Sequence, residues 1–490
     1  MSRSSSYPYA RIGIVAALLA GFHYSIFRHA GPLDDDFISY RYARNLVRGL
    51  GLVYQEGERV EGFTNPLWVL VHAAGLALGT VPVVLTFWLG LASLSACLVW
   101  AYHLRKGLGE SVGPIFAMFG IALCPALAFH AAAGLGTALL AALILGWFAH
   151  WLESEREQRA PRAAGILLAL ACLLRQETAV FALPFALAAR RSAWAWLPIL
   201  SLVGWTGFRL AYYGEWLPQT FHVKRLPLAD DFAFGWRYLA TSTIVAGVGL
   251  FVALAAVSPL FQPAGPRRRV FAVAAIGLLA HTVYVVAAGG DYLGLARFFV
   301  PTLPLATALA AVWMVHSRAT IAIYAGLLLC FLWTHATPLV PEAYWGHNRL
   351  YLATLHEFQE ERWATLGRVF AERVPPDSSV CLSPIGAFGW ESNLAVVDVL
   401  GLTNGDLRDV EPDLSIPMKG HQRYSAEFTL ARRPDYVIPG NGVRDPRTGR
   451  MAVNPWERDL FAHPEFAAQY AQEVWEIPGG EALDVWVRRP

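Results

Sequence analysis

Three adjacent aspartates, Asp34, Asp35 and Asp36, follow the first apolar stretch of the chain. The next residues have a helical pattern with an apolar face and a basic face, the basic one formed by Arg41, Arg44 and Arg48. One carboxylate in the first turn satisfies a helix N-terminus, so an acidic cap is one interpretation. Because three carboxylates exceed that need, and because crowded carboxylates tend to retain a proton, the cluster also suits a general base.

The basic amphipathic pattern predicts a helix that lies on the membrane surface. Its arginines either bind lipid headgroups or hold the phosphate of a lipid-linked ligand. Headgroups are the better partners for Arg44 and Arg48, whereas both partners remain open for Arg41, which is next to the acidic turn.

Other polar residues cluster where apolar stretches end, and ionisable groups near membrane depth are functional candidates. They are Glu61 and Asn65; Arg175 and Glu177; Glu215, Gln219, His222 and Lys224; and Asp291 and Arg297. The Arg175–Glu177 and Asp291–Arg297 pairs have a second interpretation as internal ion pairs that tie helices together. We expect these groups to converge with the aspartates on one face of the protein.

The composition is too apolar for a soluble protein. Hydrophobic residues make up 55% of the 490 residues and charged residues only 16%, against about 25% charged in soluble proteins. Most of the chain must therefore lie in lipid. The net charge of +2 and the lack of long basic runs argue against nucleic-acid binding.

Apolar stretches of about 20 residues predict membrane-spanning helices, and clusters of Lys and Arg orient them. We predict eleven spans, at about residues 12–28, 82–103, 112–130, 135–152, 163–174, 178–189, 193–212, 238–260, 270–288, 298–316 and 319–338. The first is interpreted as an uncleaved helix, because no clear signal-peptide cleavage site follows it. The basic connections all fall on the cytoplasmic side only if the apolar stretch 66–79 lies in the outer interface.

Two of these spans, 163–174 and 178–189, are short and flank a polar sequence at 175–178. We interpret them as half-length helices that meet at a polar break. Irregular polar backbone at membrane depth is tolerated only where it lines a cavity, so the break indicates a site.

Residues 339–490 are polar and contain no spanning stretch, and an odd number of spans places them outside the cytoplasm. Apolar runs at 379–382, 395–400 and 436–438 predict strands and 357–371 predicts a helix, which indicates a small extracytoplasmic α/β domain. The membrane domain is then 1–338, with its first external loop at 29–81. Trp390 is a candidate platform for a sugar ring, although a buried core is the commoner place for a Trp.

Five stretches resemble bacterial glycosyltransferases of the GT-C fold that use polyprenyl-phosphate sugars. The first is DDDFISYRYARNLVRGLGLVYQEGERVEGFTNPLW, and the others are LLRQETAVFALP, YYGEWLPQTFHVK, GGDYLGLARFFVPTLPL and IGAFGWESNLAVVDVLGLTN. They occur in order along nearly the whole chain. Within this group they are most similar to the mycobacterial terminal arabinofuranosyltransferase and its uncharacterised relatives.

The resemblance implies an acidic catalytic residue in the first external loop, and the paired acids of the motif fall on Asp34 and Asp35. Relatives often have a small residue at Asp36, an acidic residue near Gly136 and a proline at Gln176, so this sequence departs from the pattern at three points.

The implied reaction moves a sugar from a polyprenyl-phosphate carrier to a glycan or lipid hydroxyl of the cell envelope, outside the bacterial inner membrane. Asp35, with Asp34, deprotonates the acceptor, and a single displacement inverts the anomeric carbon. Lys224 and Arg297, then Arg41, are the candidates that neutralise the phosphate. A divalent cation such as Mg²⁺ or Mn²⁺ on the carboxylates is the alternative; no other cofactor is expected.

Two other classes of protein remain open. A transporter or flippase of lipid-linked sugars predicts polar residues near mid-membrane and internal repeats, whereas the polar groups here gather at one face and the sequence has no repeats. A non-catalytic membrane scaffold would bind a partner through its external domain.

Overall fold

The computed structural model of the protein describes residues 7–27, 31–108, 113–314, 362–440, 442 and 453–490. Its N-terminal part is helical. The helices are α1 (Tyr7–Phe27), α2 (Asp34–Val47), α3 (Pro66–Ala77), α4 (Pro82–Leu108), α5 (Gly113–Ala122), α6 (Pro125–Ala133), α7 (Thr137–Arg156), α8 (Arg162–Leu174), α9 (Ala179–Ala188), α10 (Leu197–Tyr213), α11 (Gln219–Lys224), α12 (Leu228–Ala246), α13 (Val248–Val257), α14 (Pro266–Ala287) and α15 (Leu303–Met314).

Three of the described helices, α4, α7 and α14, are each long and apolar enough to cross a membrane. Counting each of two bent helix pairs as one span raises this number to five. Large apolar side chains on the outside of α4 and α14 are exposed, among them Trp88, Val99 and Val283, as expected where lipid surrounds a protein. The predicted span at 319–338 lies outside the described residues.

Two predicted spans are bent. The stretch predicted at 112–130 is divided into α5 and α6 at an angle of 55°, because α6 starts at Pro125, which has no N–H to continue the preceding helix. The stretch predicted as one helix at 238–260 begins instead at Leu228 and bends by 91° after α12. Gly247 at this bend has a φ of 66°, a left-handed conformation that ends a helix.

The predicted polar break is present. α8 ends at Leu174, α9 begins at Ala179, and a single 3₁₀ turn, Gln176–Thr178, joins them. With 13 and 10 residues, the two helices are each too short to cross a membrane alone. The break therefore places the side chains of 175–178 where two short helices meet.

The C-terminal part contains a five-stranded mixed sheet of strand order β2-β1-β3-β5-β4. Its elements are β1 (Ser379–Leu382), β2 (Ala395–Asp398), β3 (Tyr436–Val437), β4 (Tyr470–Ile477), β5 (Glu481–Arg488), α16 (Arg362–Arg373), α17 (Gly386–Ser392), α18 (Ala426–Ala431), α19 (Pro455–Ala462) and α20 (Pro464–Gln469). β1 pairs in parallel with β2 and β3, and β5 runs antiparallel to β3 and β4.

The first three strands lie where the sequence predicts strands. The hairpin β4–β5 is absent from that prediction, because β4 is an edge strand whose side chains are mostly outside the core and give no apolar run. The predicted helix at 357–371 corresponds to α16, and its first five residues lie outside the described part.

The first loop joins the two parts of the protein, since α2 packs between α3 and α17. Most side chains of α2 are buried. The prediction that α2 lies on the membrane surface is therefore wrong. Its basic face meets the C-terminal part instead of lipid headgroups: Arg44 donates to the carbonyl oxygen of Trp390 (2.8 Å) and Arg48 to Oδ1 of Asn393 (3.0 Å).

Gly90 on α4 lets α6 approach closely, because a Cβ at this position would lie 1.8 Å from the carbonyl oxygen of Ala131. We expect Gly90→Ala to destabilise the protein by about 1–3 kcal/mol, since the helices must move apart. Thermal unfolding in detergent measures this as a lower Tm. Gly204→Ala on α10 is the matched control, because nothing lies within 4 Å of the added Cβ. Equal Tm values for the two variants would contradict the argument.

Candidate active site

The three adjacent aspartates point in different directions, because successive residues of a helix are about 100° apart. Asp34 and Asp36 are buried, whereas the Asp35 side chain is 25% exposed. The three carboxylates therefore have different surroundings and different roles.

Asp36 connects α2 to α3 and to the turn before α7. Its carboxylate accepts hydrogen bonds from the Tyr40 hydroxyl (2.6 Å), Trp68 Nε1 (2.6 Å) and the Leu135 N–H (3.0 Å). Burial raises the pKa of Asp36 to about 6, and these donors act in the opposite direction. Its oxygens are occupied by protein groups, so its role is to hold the helices together.

Asp34 connects α2 to the C-terminal part. Its carboxylate accepts the backbone N–H groups of Gly386 (2.9 Å) and Ala387 (2.7 Å), in the first turn of α17. Burial raises the pKa of Asp34 to about 7, although both N–H groups lower it. Asp34 therefore acts as an anchor between the two parts, and its oxygens are not free to take an acceptor proton.

Asp35 is the aspartate that remains available. Within the described residues its carboxylate accepts no hydrogen bond, and the one cation within 4.0 Å of it is Arg297, with Oδ2 3.9 Å from Nη1. An accessible carboxylate without a donor is free to bind the hydrogen of a substrate hydroxyl.

Arg297 is buried and forms an ion pair with Asp291. The two residues before it, Leu295 and Ala296, have φ values of 54° and 57°, a strained conformation that fixes the direction of the loop. The interpretation of Asp291 and Arg297 as an internal ion pair is consistent with this contact. The same guanidinium also faces Asp35, so the pair belongs to the site.

Lys224 ends α11 and faces the same region. Among the described residues, no carboxylate oxygen lies within 4.0 Å of its ammonium group, which makes no hydrogen bond with them either. Burial lowers the pKa of Lys224, and the charges of Asp35, Arg297, Asp291 and Arg175 also act on it. These five residues therefore share one electrostatic environment.

The C-terminal part closes this site with residues absent from the sequence prediction. The ring of His421 packs edge-on against Tyr292, with centroids 4.9 Å apart. Lys419 forms an ion pair with Asp231 and donates to the carbonyl oxygen of Lys224 (2.6 Å). Tyr292 directly follows the predicted site residue Asp291, so its position in the sequence could have marked it as a site residue. No local pattern marks Lys419 or His421, because only the folded chain brings them here.

Several predicted site residues have protein partners instead. Glu61 forms a buried ion pair with Arg209 and accepts a hydrogen bond from Trp205 Nε1 (3.1 Å). Asn65 bonds the hydroxyl of Ser39, with Nδ2 3.2 Å from Oγ. Glu61 therefore holds the first loop against α10, whereas Asn65 holds the segment before α3 against α2.

Three other predicted residues lie where α2 and α11 meet the C-terminal part. Arg41 donates to the carbonyl oxygens of Tyr54, Gly389 and Leu394. Gln219 donates to those of Gly401 (3.0 Å) and Asn404 (2.8 Å). The ring of Trp390 is covered by the Arg44 guanidinium at 4.3 Å. These contacts join the two parts of the protein.

At the polar break, Arg175 Nη1 donates to Thr64 Oγ1 (2.6 Å), which links the break to the first loop. Arg175 and Glu177 form no ion pair with each other within 4.0 Å in the described part of the chain. Glu215 pairs with Arg408 of the C-terminal part (2.5 Å), whereas Nε2 of His222 is buried without a hydrogen bond to any described residue.

The aspartate oxygens do not converge as metal ligands. Asp34 and Asp36 accept from N–H and O–H donors on different sides of α2, and Asp291 pairs with Arg297. In the parts of the chain that the structure covers, no three carboxylates gather their oxygens within 4.8 Å. The arrangement around Asp35 therefore suits neutralisation of negative charge by cationic side chains better than by a bound divalent ion.

The chain has a polytopic helical membrane fold, and the solved structures that it resembles have the GT-C fold. The chain is similar to ArnT from Cupriavidus metallidurans bound to undecaprenyl phosphate, with a TM-score of 0.57 and 12% identity over 99% of this chain and 98% of that one. It is also similar to the oligosaccharyltransferase of Archaeoglobus fulgidus, with a TM-score of 0.52 and 11% identity over 99% of this chain and 74% of that one.

In sequence, the chain is similar to the terminal β-(1→2)-arabinofuranosyltransferase of Mycobacterium tuberculosis. The two are 31% identical over 253 residues, which cover 46% of this chain and 40% of that protein. The resemblance predicted from the sequence motifs is thereby confirmed. The matched region spans less than half of the length of this relative. Residues 352–483 match a family described as a domain of unknown function (DUF8728).

The raised pKa of Asp34 predicts a pH-dependent stability. Its pKa rises from an ordinary value of 3.8 to about 7 on folding, so the folded protein holds this proton more tightly. The resulting stabilisation is complete below about pH 4 and is lost as the pH rises through 7, by about 1.4 kcal/mol per pH unit.

We therefore expect wild type to lose stability relative to Asp34→Asn between about pH 4 and 7, because the amide does not titrate. Thermal unfolding of both proteins in detergent across this range measures the difference. A constant difference in Tm would contradict the assignment.

Proposed function

We propose that this protein is a glycosyltransferase that moves one sugar from a polyprenyl-phosphate carrier to a hydroxyl group of a cell-envelope glycan or lipid. The observation that carries the proposal is the Asp35 carboxylate, which lacks a hydrogen-bond donor among the described residues and lies beside Arg297. ArnT, which shares the fold, was crystallised with undecaprenyl phosphate. The relative similar in sequence is an arabinofuranosyltransferase, which supports a pentose-like sugar as the first to test.

Asp35 acts as the general base. Its carboxylate takes the proton of the acceptor hydroxyl while the acceptor oxygen attacks the anomeric carbon. The bond from this carbon to the phosphate oxygen breaks on the opposite face, so the configuration inverts. The polyprenyl phosphate leaves with the electron pair of that bond and carries the additional negative charge.

Two cations neutralise this charge. Lys224 is the one that we assign to the phosphate, because its ammonium has no carboxylate partner in the described part of the chain. Arg297, held by Asp291, adds positive charge next to Asp35. We do not retain Arg41, since all three of its guanidinium nitrogens donate to carbonyl oxygens.

The site is proposed to face the extracytoplasmic side of a bacterial inner membrane, with eleven crossings and residues 339–490 on the same side. The basic residues Arg105 and Lys106 support this orientation, because they lie in the last turn of α4. Thr86, near the start of that helix, contacts Tyr40 of α2. The acceptor then approaches from outside, and the carrier approaches from the membrane.

We expect Asp35→Asn to lower sugar transfer by about 10²-fold or more, because an amide cannot take the acceptor proton. Purified protein, ¹⁴C-labelled polyprenyl-phosphate arabinofuranose and an envelope glycan acceptor provide the assay. Glu56→Gln, an exposed carboxylate on the same loop, is the control and should retain activity. Full activity of Asp35→Asn would remove Asp35 as the base. No transfer by wild type from any polyprenyl-phosphate sugar would favour the transporter or the scaffold.

Lys224→Met is expected to raise the KM for the donor about tenfold, because a charge-assisted hydrogen bond to phosphate is lost. The neighbouring Arg225→Met is the matched control, since Arg225 is exposed. Initial rates at several donor concentrations separate KM from kcat. An equal KM in both variants would assign the phosphate to another group.

A further inference from the structure

Two histidines and a glutamate form a separate cluster between α4 and α7. The donor atoms of His103, His150 and Glu153 all lie within 4.8 Å of one another. Oε2 of Glu153 is 2.7 Å from Nε2 of His103 and 3.5 Å from Nδ1 of His150. Two imidazole nitrogens and one carboxylate oxygen are a donor set that zinc takes in proteins.

The cluster lies far from the candidate active site. Thr86 of α4 contacts Asp36, whereas His103 is near the other end of the same helix. At 1.5 Å per residue, the two positions are about 26 Å apart, nearly the thickness of a bilayer core. The cluster therefore belongs to the opposite membrane face and is separate from sugar transfer.

Packing holds the two imidazoles in place. The Trp100 ring lies edge-on to both imidazoles, with centroids 6.0 Å from His103 and 4.9 Å from His150. The two helices also approach closely, because a Cβ at Gly146 would lie 2.8 Å from Trp100 Nε1. Since the helix pair is already ordered, little conformational freedom remains to be lost when an ion binds.

The distances suit a tetrahedral ion after a small adjustment. Zinc bonds of about 2.0 Å at tetrahedral angles keep two ligand atoms roughly 3.3 Å apart. The pair His150–Glu153, at 3.5 Å, is already close to this value. The pair His103–Glu153, at 2.7 Å, must open by roughly half an ångström as the metal replaces the hydrogen-bonded proton.

We propose that His103, His150 and Glu153 bind one divalent transition-metal ion, zinc by the chemistry of its ligands, and that this ion cross-links α4 to α7. Three protein ligands leave the fourth position to water. Lys106 weakens the site, because its ammonium lies 3.2 Å from Oε1 of Glu153 and competes for that carboxylate. Its side chain is half exposed, so it is free to turn away when the ion binds.

The test uses full-length protein purified in detergent without a polyhistidine tag, stripped of metal and titrated with ZnCl₂. Bound zinc is counted by mass spectrometry after gel filtration. We expect one zinc per chain and a Tm raised by zinc, because an ion that binds only the folded state stabilises it. His103→Ala and His150→Ala should lower the affinity at least tenfold. His463→Ala, a histidine in the C-terminal part, should bind zinc as wild type does.

A second variant tests the site without removing a ligand. Lys106→Ala should bind zinc several-fold more tightly, since it removes both the competing cation and its repulsion of the ion. Cobalt gives an independent readout, because four-coordinate Co²⁺ absorbs strongly in the visible range. The proposal is overturned if wild type binds no zinc at micromolar free metal, or if the His103→Ala/His150→Ala double variant binds as much zinc as wild type.

Discussion

The arrangement of the two parts depends on a buried positive charge, the guanidinium of Arg41. It donates to the carbonyl oxygens of Tyr54 (2.9 Å), Gly389 (2.8 Å) and Leu394 (2.7 Å) and lies 4.3 Å from the centre of the Tyr54 ring. A buried charge without such partners costs several kcal/mol. The C-terminal part is therefore constrained to dock on α2 in the one position where carbonyl groups meet all three nitrogens.

The charges of α2 follow the dipole of α17, which runs alongside in the same direction. Asp34 lies at the N-terminal end of α17, and Arg41 and Arg44 lie at its C-terminal end, so each charge meets the opposite partial charge. This match accounts for the position of Asp34 alone. Asp34 is hydrogen-bonded to the C-terminal part, and Asp36 is hydrogen-bonded to the helical part of the protein. Asp35 lies between these two fixed residues and remains partly exposed.

The sequence predicts the features that depend on local pattern. These include the polar break after α8, the strands β1 to β3, and a polar site that contains Asp35, Lys224, Asp291 and Arg297. It cannot predict pairings between distant segments, so Glu61 looks like a site residue although Arg209 neutralises it. The arginines of α2 show the same limit, because an amphipathic helix has one pattern whether lipid or protein covers its basic face.

The approach of Gly386 to Asp34 has a consequence for the evolution of the protein. A Cβ on Gly386 would lie 1.8 Å from the Asp34 carbonyl oxygen, and the N–H of Gly386 holds the Asp34 carboxylate. The C-terminal part is thus not an independent module appended to a membrane enzyme. A C-terminal part with any larger residue in place of Gly386 would shift the backbone next to Asp35, so this contact constrains both parts together.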